Sequence, residues 1–456
     1  MTNIRKLAEF VAGLRYEDLP ESVVAKAKEV ALNSWGVQLA ASTLDWSKAS
    51  YRYGRSQGGT PESTVLNYGF RTTAANAAFV NGCFAHGFEL DDIHSATGVK
   101  GGCVTIPTAF AVGERQLSNG KEFLTAVVAA YEIMTRVNAS GYKTLHGKGH
   151  HSTGHVGALG AAAITGKLIG FDVDLLSHAM AIATVQMVGL QFSGADARSD
   201  RGYLKRTYGG TCNVNGIRSA LLAREGMTSS DVMLEPGAGF CRAFDVDAEH
   251  AKMITAGLGE DWEILRSHYK VFAQDGHIQP MTEGLRRIRR AHTFTADEVE
   301  SVHVGTNKIA HDLIVGQIRQ PKDLTDAQYS AYFSLALYLV KGAAGFRQYT
   351  EDNLLNDKEI LELSRRVTLE VDPEIEAEYQ RTHPRGAKVT VRLRDGRELH
   401  EQVDALPEMT PQEVDDKFRD LATVVLDEPR AEALLDRVHH MDEVRDVATL
   451  APMFLP

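Results

Sequence analysis

The sequence predicts a mainly α fold, in which a large all-α helical domain built from both ends of the chain carries a smaller inserted α+β domain. The first 260 or so residues place apolar side chains at helical spacing. Between about residues 266 and 405, several segments instead alternate apolar and polar side chains, as half-buried strands do. Helical spacing then returns. We therefore expect domain boundaries at 1–265, 266–405 and 406–456, with the last segment rejoining the first.

Length and charge narrow the classes of protein. A chain of 456 residues is too long for one core, which favours two domains. The net charge is −11 and no basic tract is long enough to grip a phosphate backbone, so nucleic acid is excluded as a partner. A small anionic substrate would need a locally basic pocket.

The four cysteines are far apart and form no CxxC pair, which argues against a disulfide framework and an iron–sulfur cluster. The first twenty residues contain acids and no long apolar run, unlike a secretory signal. The most apolar stretches are too short and too rich in small residues to span a membrane. We expect a cytoplasmic protein without membrane contact.

The helices of the first domain are predicted from apolar periodicity and from a high content of alanine and glycine. Pro20 stands where a first helical turn begins. Small residues on helix faces permit close packing, so a compact bundle is expected. The predicted helices are 20–35, 121–139, 158–168, 180–191 and 216–225.

The inserted domain is predicted from four alternating segments, 299–306, 366–371, 387–393 and 397–403. Asp395-Gly396 between the last two is a two-residue hairpin signal. Two helices, 281–291 and 325–341, separate the strands. Thr410-Pro-Gln-Glu413 is then a capping box that starts a helix running to about residue 426.

The first candidate site is the segment Asn81–His94, which places three carboxylates and two histidines in an otherwise small and apolar run. Buried charges are costly without partners, so such a cluster indicates proton transfer, anion positioning or metal binding. A solvated helix end with acidic caps remains the alternative.

The second candidate is His146–His155, HGKGHHSTGH. Its pairs four residues apart resemble helical metal-ligand spacing, but three glycines interrupt the helix and no glutamate lies inside either pair. A metal site is therefore not predicted. A glycine-rich loop leading into a helix N-terminus fits better, since free N–H groups there bind carboxylates and a histidine can act on the bound group. A surface run without a role is the alternative.

The third candidate, Ser193–Asn213, concentrates cations beside glycines, which suits a di- or tricarboxylate approached closely by backbone. The alternative is a solvated loop. The fourth, Phe272–Gln279, holds His277 at the junction of the predicted domains, where a cleft would form. The cations of the third segment are Arg198, Arg201, Lys205 and Arg206, and the histidine of the fourth segment is His277.

Together the four segments resemble the MmgE/PrpD family of 2-methylcitrate dehydratases, which also includes cis-aconitate decarboxylase and iminodisuccinate epimerase. The resemblance covers nearly the whole chain. It implies a large helical domain, an inserted lid domain, a site without a cofactor, and a homodimer. His151, Lys205 and His277 match basic residues of the family motifs, and Tyr208 falls where a histidine is common. Asp91, Asp92 and His94 match the paired aspartates and the histidine that follows them.

Several positions depart from the family pattern. Glu89 stands where aspartate is usual, and Lys100-Gly101 replaces a common His-Pro. Phe333 stands where a tyrosine is frequent.

From the resemblance we expect a lyase that removes a proton next to a carboxylate of a small di- or tricarboxylate and eliminates water. An epimerase, a decarboxylase of the cis-aconitate type and a non-catalytic binding protein are the alternatives.

The resemblance and the charges together imply roles for eleven residues. His151 and His277 are expected as an acid/base pair, Lys205 and Lys100 as carboxylate ligands, and the acids as groups that orient histidine or lysine. The expected catalytic residues are His151, His277, Lys205 and Asp91, and the expected substrate-binding residues are Glu89, Asp92, His94, Lys100, Arg201, Arg206 and Tyr208.

Overall fold

The computed structural model describes residues 1–187, 189–190 and 203–456, and the fold is mainly α. By its internal contacts the chain divides into two compact units. The first contains Met1–Gln191, Lys205–Ser267 and Thr410–Pro456, and the second contains His268–Met409. Within the described residues, no helix is both long and apolar enough to cross a membrane.

The first unit is built mainly of helices, with four short strands among its described residues. Its strands are β1 (Ser63–Thr64), β2 (Arg71–Thr72), β3 (Asp92–His94) and β4 (Ser267–Tyr269), the last of which runs into the second unit. Its helices before the insertion are α1 (Asn3–Gly13), α2 (Glu21–Ala41), α3 (Asp45–Gln57), α4 (Ala74–Ala85), α5 (Gly102–Gln116), α6 (Gly120–Gly147), α7 (Ser152–Ile169), α8 (Val173–Thr184), α9 (Tyr208–Arg224), α10 (Gly239–Ala243) and α11 (Ala248–Ala251).

Small residues let α4, α7 and α9 approach one another closely. A Cβ atom added to Gly210 would lie 2.3 Å from the carbonyl oxygen of Phe79, and one on Gly216 would lie 2.5 Å from that of Ala158. Neither position can hold a larger side chain unless the backbone of the neighbouring helix moves. The close packing expected from alanine and glycine is present.

The second unit contains a four-stranded sheet in the order β6-β5-β7-β8, in which β5 and β6 are parallel and the other pairs antiparallel. Helix α12 packs on β7 and β8. The elements are α12 (Gln279–Ala291), β5 (Val299–Thr306), α13 (Leu324–Tyr329), α14 (Ala331–Lys341), α15 (Glu351–Leu355), α16 (Lys358–Ser364), β6 (Val367–Val371), α17 (Pro373–Thr382), β7 (Ala387–Leu393) and β8 (Glu398–Val403).

The chain then forms α18 (Pro411–Ala422) and α19 (Glu428–His439) in the first unit. The Thr410 side chain caps α18 by accepting the N–H of Glu413. The Glu413 carboxylate accepts the N–H of Thr410 in return, which completes the predicted capping box. Helix α18 packs on α2, where a Cβ on Gly36 would lie 3.4 Å from the Cα of Phe418.

Three local predictions need correction. The hairpin turn holds three residues, not two, because Leu393 pairs with Arg397 and Gly396 adopts a φ of +90° in the bulge position. The helix predicted over 325–341 is two helices, since the Ser330 side chain caps a second one. The helix predicted over 180–191 starts at Val173, where Asp172 caps it, and ends at Thr184.

Candidate active site

A buried carboxylate in contact with two cations lies at the centre of the candidate site. Oε1 of Glu89 forms ion pairs with Nζ of Lys205 and, at 2.9 Å, with Nη1 of Arg206. The Glu89 side chain is wholly buried, and those of Lys205 and Arg206 are 8% and 3% exposed. Two buried cations therefore share one carboxylate where water is scarce. Such a group attracts an anion more strongly than a solvated lysine does.

The two cations are placed by the start of α9. Lys205 and Arg206 belong to a 3-10 turn, Leu204–Thr207, which leads directly into that helix. Asn213 in α9 fixes the helix by donating its Nδ2 hydrogens to the carbonyls of Ala78, at 3.0 Å, and Cys103, at 3.3 Å. The turn is thereby held next to the end of α4.

The acidic loop after α4 is anchored through its backbone carbonyls. Nε1 of Trp46 donates to the carbonyl of Gly87 at 2.8 Å, and Nζ of Lys417 donates to that of Leu90 at 2.8 Å. The guanidinium of Arg206 lies over the Trp46 ring, 5.8 Å from its centre. The loop that carries Glu89 is therefore held from both sides.

His86 and Asp91 form a second buried pair in the same loop. Nδ1 of His86 lies 2.7 Å from Oδ2 of Asp91, in ion-pair contact but without hydrogen-bond alignment. Burial lowers the pKa of His86 to about 4, against the opposing effect of Asp91. The ring is consequently neutral at physiological pH.

His151 stands at the N-terminus of α7, as the sequence suggested for this loop, although the helix begins at Ser152 rather than near residue 157. Its Nδ1 accepts a hydrogen bond from the Gly154 N–H at 3.3 Å, so the side chain caps the helix. Its ring centre lies 5.8 Å from that of His86 and 4.5 Å from that of Tyr208. The structure thus brings His151 next to the acidic loop.

Tyr208, expected as a substrate ligand, is the first residue of α9. Its hydroxyl donates to the carbonyl of Leu190, and burial raises its pKa, although Lys205 acts in the opposite direction. The Tyr208 ring packs beside the ring of His151. The hydroxyl therefore fixes the ring against the backbone.

Asp92 has a structural role, since its carboxylate binds backbone and side-chain donors. Its carboxylate accepts hydrogen bonds from the N–H groups of Gly101 and Gly102, at 3.0 and 2.8 Å, and from the hydroxyl of Tyr131 at 2.7 Å. Burial raises its pKa to about 6, against the lowering effect of these donors. Asp92 holds the start of α5, the segment that follows Lys100.

His94 is held at both ring nitrogens. Its Nδ1 lies 2.9 Å from Oγ1 of Thr97, and its Nε2 lies 3.0 Å from Oε2 of Glu263. Although burial alone raises the pKa of Glu263, hydrogen bonds from His94 and Arg266 lower it to about 2. Direct contact of the His94 ring with substrate would break one of these bonds, so the geometry favours a positioning role.

Lys100, Arg198, Arg201 and His277 are the other residues for which the sequence predicted a role. The backbone N–H of Lys100 donates to Oγ1 of Thr153 in the first turn of α7, at 2.8 Å, which holds Lys100 near the His151 helix. Arg198 and Arg201 lie outside the described residues. His277 belongs to the second unit, where its N–H donates to Oδ1 of Asp275 at 2.9 Å and its Nδ1 lies 3.4 Å from Nδ2 of Asn307.

Three histidines of the histidine run, His150, His151 and His155, have described side chains. Across the described ranges, no group of three or more histidine, cysteine, aspartate or glutamate residues could hold a metal ion. His155 is instead buried against aromatic rings, 5.6 Å from Phe240 and 4.5 Å from Phe244. Burial, with a smaller contribution from His150, lowers its pKa to about 3.

Two glycines expected at a ligand have a different role. A Cβ on Gly209 would lie 2.9 Å from the carbonyls of Gly82 and Cys103, and one on Gly210 would lie 2.6 Å from Sγ of Cys83. Because both residues lack a Cβ atom, the start of α9 fits between α4 and α5. Helix packing, and not ligand approach, requires glycine at these positions.

Sequence reasoning assigned no individual role to several residues that shape this site. His86 lay inside the acidic motif but was given no role, although its spacing from Asp91 could have suggested a pair. Trp46, Tyr131 and Lys417 carried no signal, because each acts through a contact with a distant part of the chain.

Comparison with known proteins identifies the family. The MmgE/PrpD N-terminal domain matches residues 5–251, and the MmgE/PrpD C-terminal domain matches residues 272–443. The chain belongs to the MmgE/PrpD family.

Its curated relatives include cis-aconitate decarboxylases. A cis-aconitate decarboxylase-like protein, oryM of Aspergillus oryzae, is 28% identical, with 98% of this chain and 95% of that protein covered. Cis-aconitate decarboxylase of Aspergillus terreus is 25% identical over 98% of this chain and 94% of its own length. The Mus musculus enzyme is 22% identical over 97% of this chain and 91% of its own length. These similarities imply a lyase-type enzyme.

Proposed function

We propose that the protein is a lyase that acts on a small di- or tricarboxylate, at a carbon next to a carboxylate, without a cofactor. The observation that carries the proposal is the buried contact of Glu89 with Lys205 and Arg206. The surface as a whole repels anions, since the chain has a net charge of −11. Capture of a carboxylate therefore requires local cations, and this group supplies two of them.

The chemistry of such a substrate is limited by the weak acidity of the C–H bond. An enzyme must hold the carboxylates, stabilise the negative charge that develops on them, and place proton-transfer groups at the carbon. The ring of His151 lies next to that of His86, beside the loop that carries Glu89. His277, in the second unit, remains a proposed proton-transfer residue.

Three outcomes are open to this site. Loss of water, which the sequence predicts, follows proton removal beside the carboxylate. Loss of carbon dioxide is favoured by the relatives named above, and it involves a related allylic protonation. Epimerisation requires only that the proton return on the opposite face. We also propose a homodimer, as the family resemblance implies.

Proton NMR of the purified protein with a panel of substrates separates these outcomes. The panel contains cis-aconitate, citrate, 2-methylcitrate and iminodisuccinate, each incubated in D₂O. Elimination of water or of carbon dioxide from one of them is the expected result. Deuterium exchange with inversion and no elimination would indicate an epimerase. Absence of exchange and turnover with every member would contradict the proposal.

Treatment with a chelator tests the claim that no metal is needed. Turnover in the panel should survive dialysis against EDTA, and added zinc or iron should not increase it. Loss of turnover on dialysis, restored by a metal ion, would show that a ligand set had been overlooked.

A further inference from the structure

We propose that His86, held by Asp91, is the general base of this site, and that His151 is a neutral hydrogen-bond donor beside it. This inference rests on the proposed function and assigns the proton-transfer atoms within it. It adds a catalytic residue, His86, that neither the sequence motifs nor the comparisons assigned. The role of each ring depends on which of its nitrogens carries the proton.

The partner of His86 places its proton on Nδ1. Oδ2 of Asp91 lies 2.7 Å from Nδ1 of His86, and an ionised carboxylate only accepts hydrogen bonds. A lone pair on Nδ1 would face oxygen lone pairs at that distance, which is repulsive even without hydrogen-bond alignment. The neutral ring therefore carries its proton on Nδ1 and a lone pair on Nε2, as in a histidine oriented by aspartate.

The Nε2 atom of His86 has no hydrogen-bond partner among the residues that the structure describes. The side chain is 0% exposed, so bulk water does not supply the missing bond. An unsatisfied buried acceptor is unfavourable, and its position beside two further site residues indicates that a ligand binds there. The ring centre lies 5.8 Å from that of His151 and 6.4 Å from that of Tyr208.

His151 has the opposite arrangement. The backbone N–H of Gly154 points at its Nδ1 at 3.3 Å, and an N–H group can only donate. Nδ1 must therefore hold the lone pair, and the proton of the neutral ring lies on Nε2. The ring caps the N-terminus of the 18-residue helix α7, whose positive end disfavours a charged imidazolium. A neutral histidine at a helix N-terminus is suited to donate a hydrogen bond to a developing oxyanion.

These two tautomers supply the steps of an elimination. Nε2 of His86 takes the proton from the substrate carbon, and the electron pair of the C–H bond moves onto the adjacent carboxylate. Asp91 stabilises the imidazolium that forms, while the Nε2 hydrogen of His151 bonds an oxygen of the enolate. The pair returns to form the double bond as hydroxide leaves, and the imidazolium proton converts hydroxide to water.

Nitrogen NMR of the protein labelled with ¹⁵N-histidine reads the tautomers directly. Resonances are assigned by their loss in His86→Gln and His151→Gln variants. We expect His86 to show an unprotonated Nε2 and His151 an unprotonated Nδ1, at a pH where both rings are neutral. Asp91→Asn should remove the preference of His86 for the Nδ1 proton without changing that of His151. A proton on Nε2 of His86 in the native protein would overturn the inference.

Kinetics on a panel substrate test the role of the atoms. His86→Gln and Asp91→Asn should each lower kcat roughly 10²- to 10⁴-fold and change KM little, since a base acts on the bound substrate. A merely structural pair would lower the melting temperature and leave kcat of the folded enzyme near the native value, which would overturn the inference alone. Failure of the native protein to turn over any substrate would overturn the proposed function as well. If His86→Gln does not fold, Asp91→Asn and the native spectrum still decide.

Discussion

Lys417, near the middle of α18, donates a hydrogen bond from Nζ to the carbonyl oxygen of Leu90 at 2.8 Å, across 327 residues of sequence. Leu90 lies between Glu89, which contacts Lys205, and Asp91, which contacts His86. The C-terminal segment of the chain therefore helps to hold the loop that carries Glu89 and Asp91.

Lys417→Met should weaken catalysis while retaining the fold. Methionine keeps an apolar stem and removes the ammonium, so one hydrogen bond of about 1–2 kcal/mol to the loop is lost. We expect kcat/KM to fall roughly 5- to 30-fold and Lys417→Arg to recover part of it. The matched control is Lys358→Met, at an exposed lysine of α16 in the other unit. An unchanged kcat/KM for Lys417→Met would contradict the role in positioning.

Glu89→Gln should destabilise the protein. The variant leaves the buried Lys205 and Arg206 cations without their shared carboxylate, and breaking a buried pair costs about 3–5 kcal/mol. The measurement is the midpoint of urea unfolding. Glu249→Gln breaks an exposed pair with Lys252 and should leave the midpoint unchanged. Equal effects of the two variants would show that the Glu89 cluster is solvated in solution.

Asn307→Asp should change the tautomer of His277. Oδ1 of Asn307 accepts the N–H of Ala310 at 2.9 Å, so its Nδ2 faces Nδ1 of His277 and places the ring proton on Nε2. Aspartate keeps the bond to Ala310 and presents an acceptor to the ring, which favours a proton on Nδ1. Nitrogen NMR of the labelled protein measures the change, with Asn353→Asp in α15 as control. The same tautomer in the Asn307 variant and the native protein would refute this.

His155 should make the protein sensitive to acid. Its pKa falls from 6.5 in the unfolded chain to about 3 in the folded one, because burial disfavours the charged ring. As pH decreases below 6.5, the unfolded state takes up a proton that the folded state refuses, so the free energy of unfolding decreases. At pH 5 the loss is about 2 kcal/mol.

The variant His155→Leu removes this titration and keeps an apolar contact with Phe240 and Phe244. Relative to the native protein, its melting temperature should rise as the pH is lowered from 8 to 5. At pH 8 the ring is neutral in both states, and the comparison there gives the effect of packing alone. Curves that stay parallel between pH 5 and pH 8 would contradict the assignment.

Local patterns were sufficient for much of the fold. The β5 segment Val299–Thr306 and the β7 segment Ala387–Leu393 have the bounds that their alternation predicted, because one face of each is buried. Thr410 and Glu413 carry their signal within four residues. The boundaries that were wrong, such as Val173 of α8, depend on a cap outside the periodic segment.

The site was harder to predict, since the sequence shows charges but not their partners. Asp92 and His94 belong to the acidic motif, yet their partners Tyr131 and Glu263 lie far along the chain. Gly209 indicated ligand approach by composition, whereas contact with α4 explains it. Partner identity is a property of tertiary packing, which single-sequence patterns do not contain.

The central claim is that the buried cations beside Glu89 capture a carboxylate of the substrate. Lys205→Ala tests it most directly, since Arg206 remains to pair with Glu89 and the fold should survive. Loss of one partner of a desolvated charge pair costs roughly 2–5 kcal/mol of transition-state stabilisation. Lys205→Arg should recover only part of it, because a planar guanidinium does not replace a compact ammonium. Lys48→Ala, at a half-exposed lysine of α3, is the matched control.

The decisive measurement is kcat/KM of Lys205→Ala on the substrate that the panel identifies, with the melting temperature recorded alongside. We predict a fall of roughly 30- to 5,000-fold at a nearly native melting temperature. A value close to that of the native protein would remove Lys205 from substrate binding and contradict the account of the site.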